Sequence, residues 1–121
     1  MKQVLIVDDA PFVRLTLKNM LEKNGFFFFF EATNGQEAIM KYFQLKPDVV
    51  TMDISMPVMN GITALKQIIN KDPQDNVIMV TAVGQEEFIK EAVLNGAKYF
   101  IVKPLEEEFV VNTINRILTC E

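Results

Sequence analysis

The stretch Asp48–Gly61, DVVTMDISMPVMNG, contains the residue around which the chain is organised. Its apolar residues Val49, Val50 and Met52 predict a buried strand that ends at Asp53. A Met-Pro pair and an Asn-Gly pair follow, and both are typical of loops. A carboxylate at the end of a buried strand is costly unless a charged group meets it there. Asp53 therefore needs partners from elsewhere in the chain.

The length and composition of the chain are typical of an ordinary globular domain. It has 121 residues, and we expect residues 1–121 to form one domain. Half of the residues are hydrophobic and 23% are charged, which is usual for such a domain. The formal net charge of −4 gives no support to a nucleic-acid surface. The longest apolar run, Phe26–Phe30, is too short to span a membrane, so we expect neither nucleic acid nor membrane as a partner.

The chain contains no histidine and one cysteine, Cys120. The lack of histidine excludes Ser-His and Cys-His nucleophile pairs and zinc sites built on histidine. One cysteine cannot form a disulfide within the chain, so we expect the reducing cytoplasm as its compartment. Any chemistry must therefore use carboxylates, lysines, hydroxyl groups or a cation bound by oxygen atoms.

Short apolar runs alternate with segments of helical spacing. The predicted strands are Val4–Val7, Phe26–Phe30, Val49–Asp53, Val77–Val80 and Tyr99–Val102. The predicted helices run from Pro11 to the Asn24-Gly25 pair and over Glu37–Leu45, Gly61–Ile69, Gln85–Leu94 and Glu106–Leu118. This alternation predicts parallel strands joined by right-handed crossovers. Five units are too few for the eightfold barrel, so we expect an α/β domain with an open sheet.

Five consecutive phenylalanines, Phe26–Phe30, occupy the place of the second strand. Phenylalanine favours strands, but a run without alternation places rings on both faces of the sheet. We interpret the run as a core strand. An altered sequence and an association surface are the alternatives.

Four of the five predicted strands lead into a residue with chemistry: Asp8 with Asp9, Asp53, Thr81 and Lys103. Parallel strands share one carboxyl edge, where open α/β sheets bind ligands. Three carboxylates and one lysine there leave a charge of −2, which one divalent cation would neutralise. Ligands that are all oxygen favour Mg²⁺ or Mn²⁺.

A carboxylate beside such a cation and a lysine is suited to attack phosphorus and form an aspartyl phosphate. Lys103 would neutralise charge on the transferred oxygens, and the Thr81 hydroxyl can donate a hydrogen bond to them. Each feature alone has a simpler structural explanation, such as a loop, a strand end or a helix cap. Their coincidence at one sheet edge favours the chemical interpretation.

At these residues the sequence resembles the receiver domain of two-component response regulators, and its single-domain chemotaxis members most of all. The matching motifs are VLIVDDAPFVR, DVVTMDISMPVMNG, VIMVTA and AKYFIVKP. The resemblance covers essentially the whole chain. It implies a flavodoxin-like, doubly wound sheet of five parallel strands in the order 2-1-3-4-5 with five helices.

The resemblance also implies the roles of the residues at the carboxyl edge. Asp53 would be the phosphoacceptor, and Lys103 would pair with the phosphate. The peptide bond between Lys103 and Pro104 would be cis. The Mg²⁺ ligands would be Asp8, Asp9, Asp53 and the backbone carbonyl of Ser55.

Thr81 and Phe100 are implied to be the switch residues. Many chemotaxis members have tyrosine in place of Phe100, so this chain lacks that hydroxyl and its switch would rest on packing. A sensor histidine kinase would phosphorylate Asp53, and the face of the fourth helix, fifth strand and fifth helix would then change its output partner. Surface candidates on that face are Gln85, Lys90, Tyr99 and Glu106.

The resemblance further implies a phosphoprotein that assists its own phosphorylation and dephosphorylation, without being an enzyme for other substrates. Its output target would be one such as the flagellar motor switch, and a phosphatase would be a further partner. In the order 2-1-3-4-5 the second strand is an edge, so we also expect exposed rings and self-association through Phe26–Phe30.

Other functions remain open. One alternative is a phosphorelay intermediate, or a receiver excised from a longer regulator. Another class is a small phosphohydrolase with an aspartyl-phosphate intermediate, but Ser55 stands where that class has a second aspartate, and the chain has no room for a cap domain. An interaction module that is never phosphorylated would not need the complete set of Asp8, Asp9, Asp53, Thr81 and Lys103.

Overall fold

The computed structural model describes residues 2–26, 28–82 and 84–119. Phe27, part of the predicted second strand, and Cys120 lie outside the described residues. The strands are β1 (Gln3–Val7), β2 (Phe28–Ala32), β3 (Val49–Asp53), β4 (Val77–Thr81) and β5 (Tyr99–Val102). The helices are α1 (Pro11–Glu22), α2 (Gly35–Leu45), α3 (Gly61–Lys71), α4 (Glu86–Leu94) and α5 (Glu107–Thr119).

The strands form one parallel sheet in the order β2-β1-β3-β4-β5. The predicted flavodoxin-like fold with five strands and five helices is therefore confirmed. The register brings the strand ends level, with Asp53 opposite Val80 and Thr81 opposite Val102. Residues that follow these strands therefore meet at one edge of the sheet.

Two hydrophobic clusters cover the two faces of the sheet. On one face Leu5, Val50 and Met79 pack with residues of α2 and α3. On the other face Ile6 and Ile78 pack with residues of α1 and α5. Because both faces are covered, the central strands carry nearly continuous apolar runs, as buried parallel strands do.

The predicted start of the second strand was wrong. β2 begins at Phe28, whereas Phe26 belongs to the turn after α1, where its N–H donates to the Leu21 carbonyl oxygen at 3.0 Å. The Phe26 ring is buried in the cluster of α1 and α5. Phe29 packs against the same cluster and Phe30 against the opposite one. The interpretation as a core strand therefore holds for these rings, while Phe28 is 42% exposed at the edge of the sheet.

Asparagine caps explain where two helices begin. The Asn34 side chain accepts the Glu37 N–H at 2.8 Å and starts α2, and Asn60 accepts the Thr63 N–H at 2.9 Å and starts α3. Other helix ends differ slightly from the prediction. Helix α3 continues past Ile69 to Lys71, and α4 and α5 each begin one residue later than expected. Over the ranges described, no helix is long and apolar enough to cross a membrane.

Candidate functional site

Four strand ends supply the side chains of the candidate site. Asp53 is the last residue of β3 and Thr81 is the last residue of β4. Asp8 follows β1 directly, and Lys103 follows β5. These residues are far apart in the chain, and the parallel sheet brings them to its carboxyl edge as the sequence predicted.

Three carboxylates cluster at this edge. Asp8, Asp9 and Asp53 each offer an oxygen atom, and these atoms lie within 4.8 Å of one another. Asp8 and Asp53 are only 2% and 7% exposed, whereas Asp9 faces solvent. Asp8 is also held locally, because its Oδ1 accepts the Ala10 N–H at 2.9 Å and its carbonyl oxygen accepts a bond from Arg14 Nη1 at 2.7 Å.

Lys103 bridges the two buried acids. Its Nζ lies 3.5 Å from Asp8 Oδ2 and 3.5 Å from Asp53 Oδ1. The backbone N–H of Lys103 donates to the Thr81 carbonyl oxygen at 2.8 Å, which holds the lysine level with the end of β4. The peptide bond from Lys103 to Pro104 is cis, as the resemblance implied.

The electrostatics of the cluster favour added positive charge. Burial raises the pKa of Asp53 to about 6, and the carboxylate of Asp8 raises it as well, whereas Lys103 lowers it. One ammonium group does not balance three carboxylates. The donors are all oxygen atoms, and such a set suits a hard cation such as Mg²⁺ or Mn²⁺. The residues present therefore fit the expected metal.

The loop after Asp53 folds back closely onto the strand end. Gly61 donates its N–H to the Ile54 carbonyl oxygen at 2.7 Å. A Cβ atom at Gly61 would lie 2.2 Å from the Asp53 carbonyl oxygen, so no side chain fits there. Val58 at the tip of the loop has a φ of 66°, which is unusual for a β-branched residue. This loop carries Ser55, the residue expected to offer its carbonyl to the metal.

Thr81 reaches the site, but its hydroxyl points to a partner that the sequence did not reveal. The side chain is fully buried, and its Oγ1 donates to Gln85 Oε1 at 3.0 Å. Sequence reasoning had Gln85 only as a surface candidate. The one available signal was a glutamine directly before α4, where serine, threonine, aspartate or asparagine would cap the helix.

Phe100, the expected switch aromatic, is half-buried on β5 and packs against the core cluster that contains Met79. Large apolar side chains are also exposed on α4, β5 and α5. These are Phe88, Val93, Leu94, Val102 and Phe109. Exposed apolar groups are typical of protein-binding surfaces where they form one contiguous patch.

Comparison with known proteins identifies the family. The model of the response regulator receiver domain matches residues 4–115. The chemotaxis protein CheY of Thermotoga maritima is 52% identical over 116 residues, which cover 96% of this chain and 97% of that protein. CheY of Bacillus subtilis is 50% identical with the same coverage of both chains.

A solved structure agrees with these relatives. A chain of the CheX-CheY-BeF₃-Mg²⁺ complex from Borrelia burgdorferi superposes with a TM-score of 0.89 at 39% identity, over 98% of this chain and 90% of that one. Receiver domains are signalling proteins that bind Mg²⁺ through acidic residues, and the cluster of Asp8, Asp9 and Asp53 fits that pattern. The resemblance seen in the sequence is confirmed: the chain belongs to the response regulator receiver domain family of two-component signalling and is closely related to CheY.

Proposed function

We propose that residues 1–121 act as a single receiver domain, a signalling switch that phosphorylation of Asp53 turns on. The observation that carries this proposal is the position of the Lys103 ammonium, 3.5 Å from the carboxylates of both Asp8 and Asp53 at the carboxyl edge of the sheet. A buried nucleophile, a fixed positive charge and further carboxylates for a cation are the parts that phosphoryl transfer to an aspartate requires.

The phosphodonor is a phosphohistidine of a sensor histidine kinase of the chemotaxis type. An Asp53 carboxylate oxygen attacks the phosphorus atom and forms a P–O bond. The P–N bond breaks, and its electron pair returns to the histidine ring of the kinase. This chain has no histidine of its own, so the donor must be another chain. Lys103 stays close to Asp53 and stabilises negative charge on the phosphoryl oxygens.

The metal ligands in this proposal are Asp8, Asp9, Asp53 and the backbone carbonyl of Ser55. A bound Mg²⁺, or Mn²⁺ in its place, supplies positive charge to the phosphoryl oxygens. The fit rests on three clustered carboxylates and a single lysine beside them.

The same residues assist the hydrolytic removal of the phosphoryl group. A water molecule attacks the phosphorus atom of the aspartyl phosphate, the P–O bond to Asp53 breaks, and inorganic phosphate leaves with the carboxylate restored. The chain thus promotes its own phosphorylation and dephosphorylation, but it acts on no external substrate.

The output surface is the exposed apolar face of α4, β5 and α5. The Thr81 hydroxyl and the Phe100 ring are the switch groups: Thr81 ends β4 at the carboxyl edge, and Phe100 lies opposite Met79 on the neighbouring strand β5. Kinship with CheY proteins supports a chemotaxis role in the cytoplasm, with an output target such as the flagellar motor switch. The Borrelia relative in complex with CheX supports a further regulatory partner, such as a phosphatase.

Phosphorylation is tested by incubating the protein with acetyl phosphate and Mg²⁺ and measuring the intact mass. We expect one added phosphoryl group, which disappears in Asp53→Asn and when Mg²⁺ is withheld. Asp75→Asn is the matched control, because Asp75 is also a buried acid but lies near the opposite end of the sheet.

Three results would contradict the proposal. They are no mass gain in the wild-type protein, a gain that survives in Asp53→Asn, and a gain that is lost equally in Asp75→Asn. Continuous turnover of a phosphate ester would favour the phosphohydrolase instead.

We also propose weak self-association through the edge strand β2. Phe28 is exposed there, and a second copy is the natural occupant because an open strand edge pairs with another strand. Part of the edge is already protected, since the Lys41 ammonium donates to the Glu31 carbonyl oxygen. Light scattering over a range of concentrations should show a mass increase that Phe28→Lys abolishes. A wild-type protein that stays monomeric at all concentrations would contradict this.

A further inference from the structure

Gln85 connects the switch threonine to the loop that follows Asp53. Its Oε1 accepts the Thr81 hydroxyl at 3.0 Å and the Ala82 N–H at 2.9 Å. Its Nε2 donates to Ser55 Oγ at 3.1 Å. We call Gln85 with its bonds to Thr81, Ala82 and Ser55 the Gln85 bridge.

The orientation of the Gln85 amide follows from its neighbours. The Ala82 N–H can only donate, so the amide oxygen must face it, and the amide nitrogen then faces Ser55. Both ends of the amide are therefore engaged. These bonds join the end of β4, the start of α4 and the loop after β3.

Helix capping does not account for this glutamine. Gln85 directly precedes α4, yet its side chain makes no capping bond to that helix. Residues at such positions normally use a short polar side chain to satisfy the first helical N–H groups. The side chain of Gln85 turns away from the helix and toward the candidate site.

The bridge and the phosphoryl group compete for one proton. A threonine hydroxyl donates a single hydrogen bond. Thr81 Oγ1 lies 3.0 Å from Gln85 Oε1 and 3.4 Å from the Ala82 carbonyl oxygen, so Gln85 is the nearer acceptor of its proton. If Thr81 donates to a phosphoryl oxygen after phosphorylation of Asp53, the bond to Gln85 must break. The two bonds therefore belong to two different states of the protein.

We propose that Gln85 is a positioning residue that stabilises the unphosphorylated state by holding the Thr81 hydroxyl. This inference rests on the proposed function and adds a residue to its switch. Gln85 also holds Ala82 and Ser55, so the loss of its bond to Thr81 removes one of the three bonds that tie the start of α4 to the end of β4 and the loop after Asp53. Phosphorylation would then loosen the output face through Gln85.

The test compares the binding of beryllofluoride, a phosphoryl mimic, in the presence of Mg²⁺. Gln85→Met keeps the length of the side chain but removes all three bonds. We expect it to bind beryllofluoride about two- to tenfold more tightly than the wild-type protein, because one net hydrogen bond no longer opposes the bound state. Gln44→Met, on the exposed face of α2, is the matched control and should leave the affinity unchanged.

A double-mutant cycle separates this role from a general effect on folding. In Thr81→Val there is no hydroxyl to hold, so adding Gln85→Met should change the affinity little. If the gain in affinity is the same in Thr81→Val as in the wild-type protein, Gln85 acts through something else and the inference is overturned.

Hydrogen exchange tests the Gln85 bridge in the unphosphorylated protein. The Ala82 amide should exchange its hydrogen faster in Gln85→Met than in Gln44→Met, and unchanged exchange would overturn the inference. A wild-type protein that binds no beryllofluoride overturns the proposed function and the inference together. A wild-type protein that binds it, with unchanged affinity in Gln85→Met, overturns the inference alone.

Discussion

Asp53 and Asp75 are both buried carboxylates, and they lie near opposite ends of the sheet. Asp53 is the last residue of β3, whereas Asp75 lies just before β4. Asp75 is even less exposed than Asp53, at 3% against 7%. In both, burial is the main cause of a pKa above the ordinary value. Burial and pKa alone therefore do not distinguish the two residues.

The surroundings of the two acids differ. Asp53 meets the Asp8 carboxylate and the Lys103 ammonium, which come from other strands. Asp75 Oδ1 accepts the N–H of Val77, two residues ahead, at 3.2 Å, and its Oδ2 has no hydrogen-bond partner among the residues that the structure describes. One acid belongs to a cluster built from distant strands, and the other shapes a local turn. The convergence of distant charges, rather than burial, marks the site.

Each acid has a lysine near it, and removing these lysines one at a time gives the largest contrast. Lys103→Met should slow phosphorylation by acetyl phosphate by about 100-fold, because it removes a positive charge already positioned for the phosphoryl oxygens. Lys98 donates to the Asp75 carbonyl oxygen at 3.4 Å, and Lys98→Met should leave the rate unchanged. The rate of mass gain measures both. Equal slowing in the two variants would show that the acids do not differ in the way described.

A pH titration without metal should give the next largest difference between Asp53 and Asp75. The carboxyl group of Asp53 should titrate near pH 6 in ¹³C spectra. Lys103→Met should raise that pKa further, because the ammonium of Lys103 lowers it in the wild-type protein. The same substitution should not move the titration of Asp75. A pKa of Asp53 at or below its ordinary 3.8 would contradict the prediction.

The raised pKa of Asp53 also fixes the sign of a stability effect. The folded state binds this proton more tightly than the unfolded state, so the free energy of unfolding should rise as the pH falls from above 6 toward 3.8. Comparing wild type with Asp53→Asn in denaturant at several pH values isolates this contribution. The pKa of Asp75 is also raised, so Asp75 changes the free energy of unfolding in the same direction. Because Asp75 is present in both proteins, its contribution cancels in the comparison. A slope that is identical in the two proteins would rule out the assignment to Asp53.

Asp75→Asn should have the smallest effect. We expect it to raise the free energy of unfolding at pH 7.5 by about 1 kcal/mol, because it removes a buried charge while keeping the oxygen that accepts the Val77 N–H. Asp72→Asn is the control, and it should destabilise the protein by weakening the 2.6 Å bond from the Tyr42 hydroxyl. A lower free energy of unfolding in Asp75→Asn would contradict this prediction, because it would show that the surroundings stabilise the carboxylate charge of Asp75.

The fold and the charged core of the site could be predicted because they follow from strong patterns. Buried parallel strands read as apolar runs, and the alternation with helices fixes their direction. Because the strands all run in the same direction, Asp8, Asp53 and Lys103 lie at one edge of the sheet although they are far apart in the chain.

The rest depends on side-chain directions that no pattern encodes. Five equal rings cannot show where β2 begins, and Phe26 proved to belong to the turn before it. Gln85 precedes a helix in a polar stretch, and only its conformation reveals its bonds to Thr81 and Ser55. Asp75 is likewise an acid in a polar loop whose burial leaves no trace in the sequence.

The contact at Gly61 also limits how this chain can evolve. With no room for a side chain 2.2 Å from the Asp53 carbonyl oxygen, and with its N–H bonded to Ile54, the helix after the loop starts at a fixed distance from Asp53. Drift can exchange an exposed residue such as Val58, but an insertion or deletion in the loop would move Gly61 out of place. We therefore expect the number of residues between Asp53 and Gly61 to be fixed, whereas the type of an exposed residue such as Val58 can change.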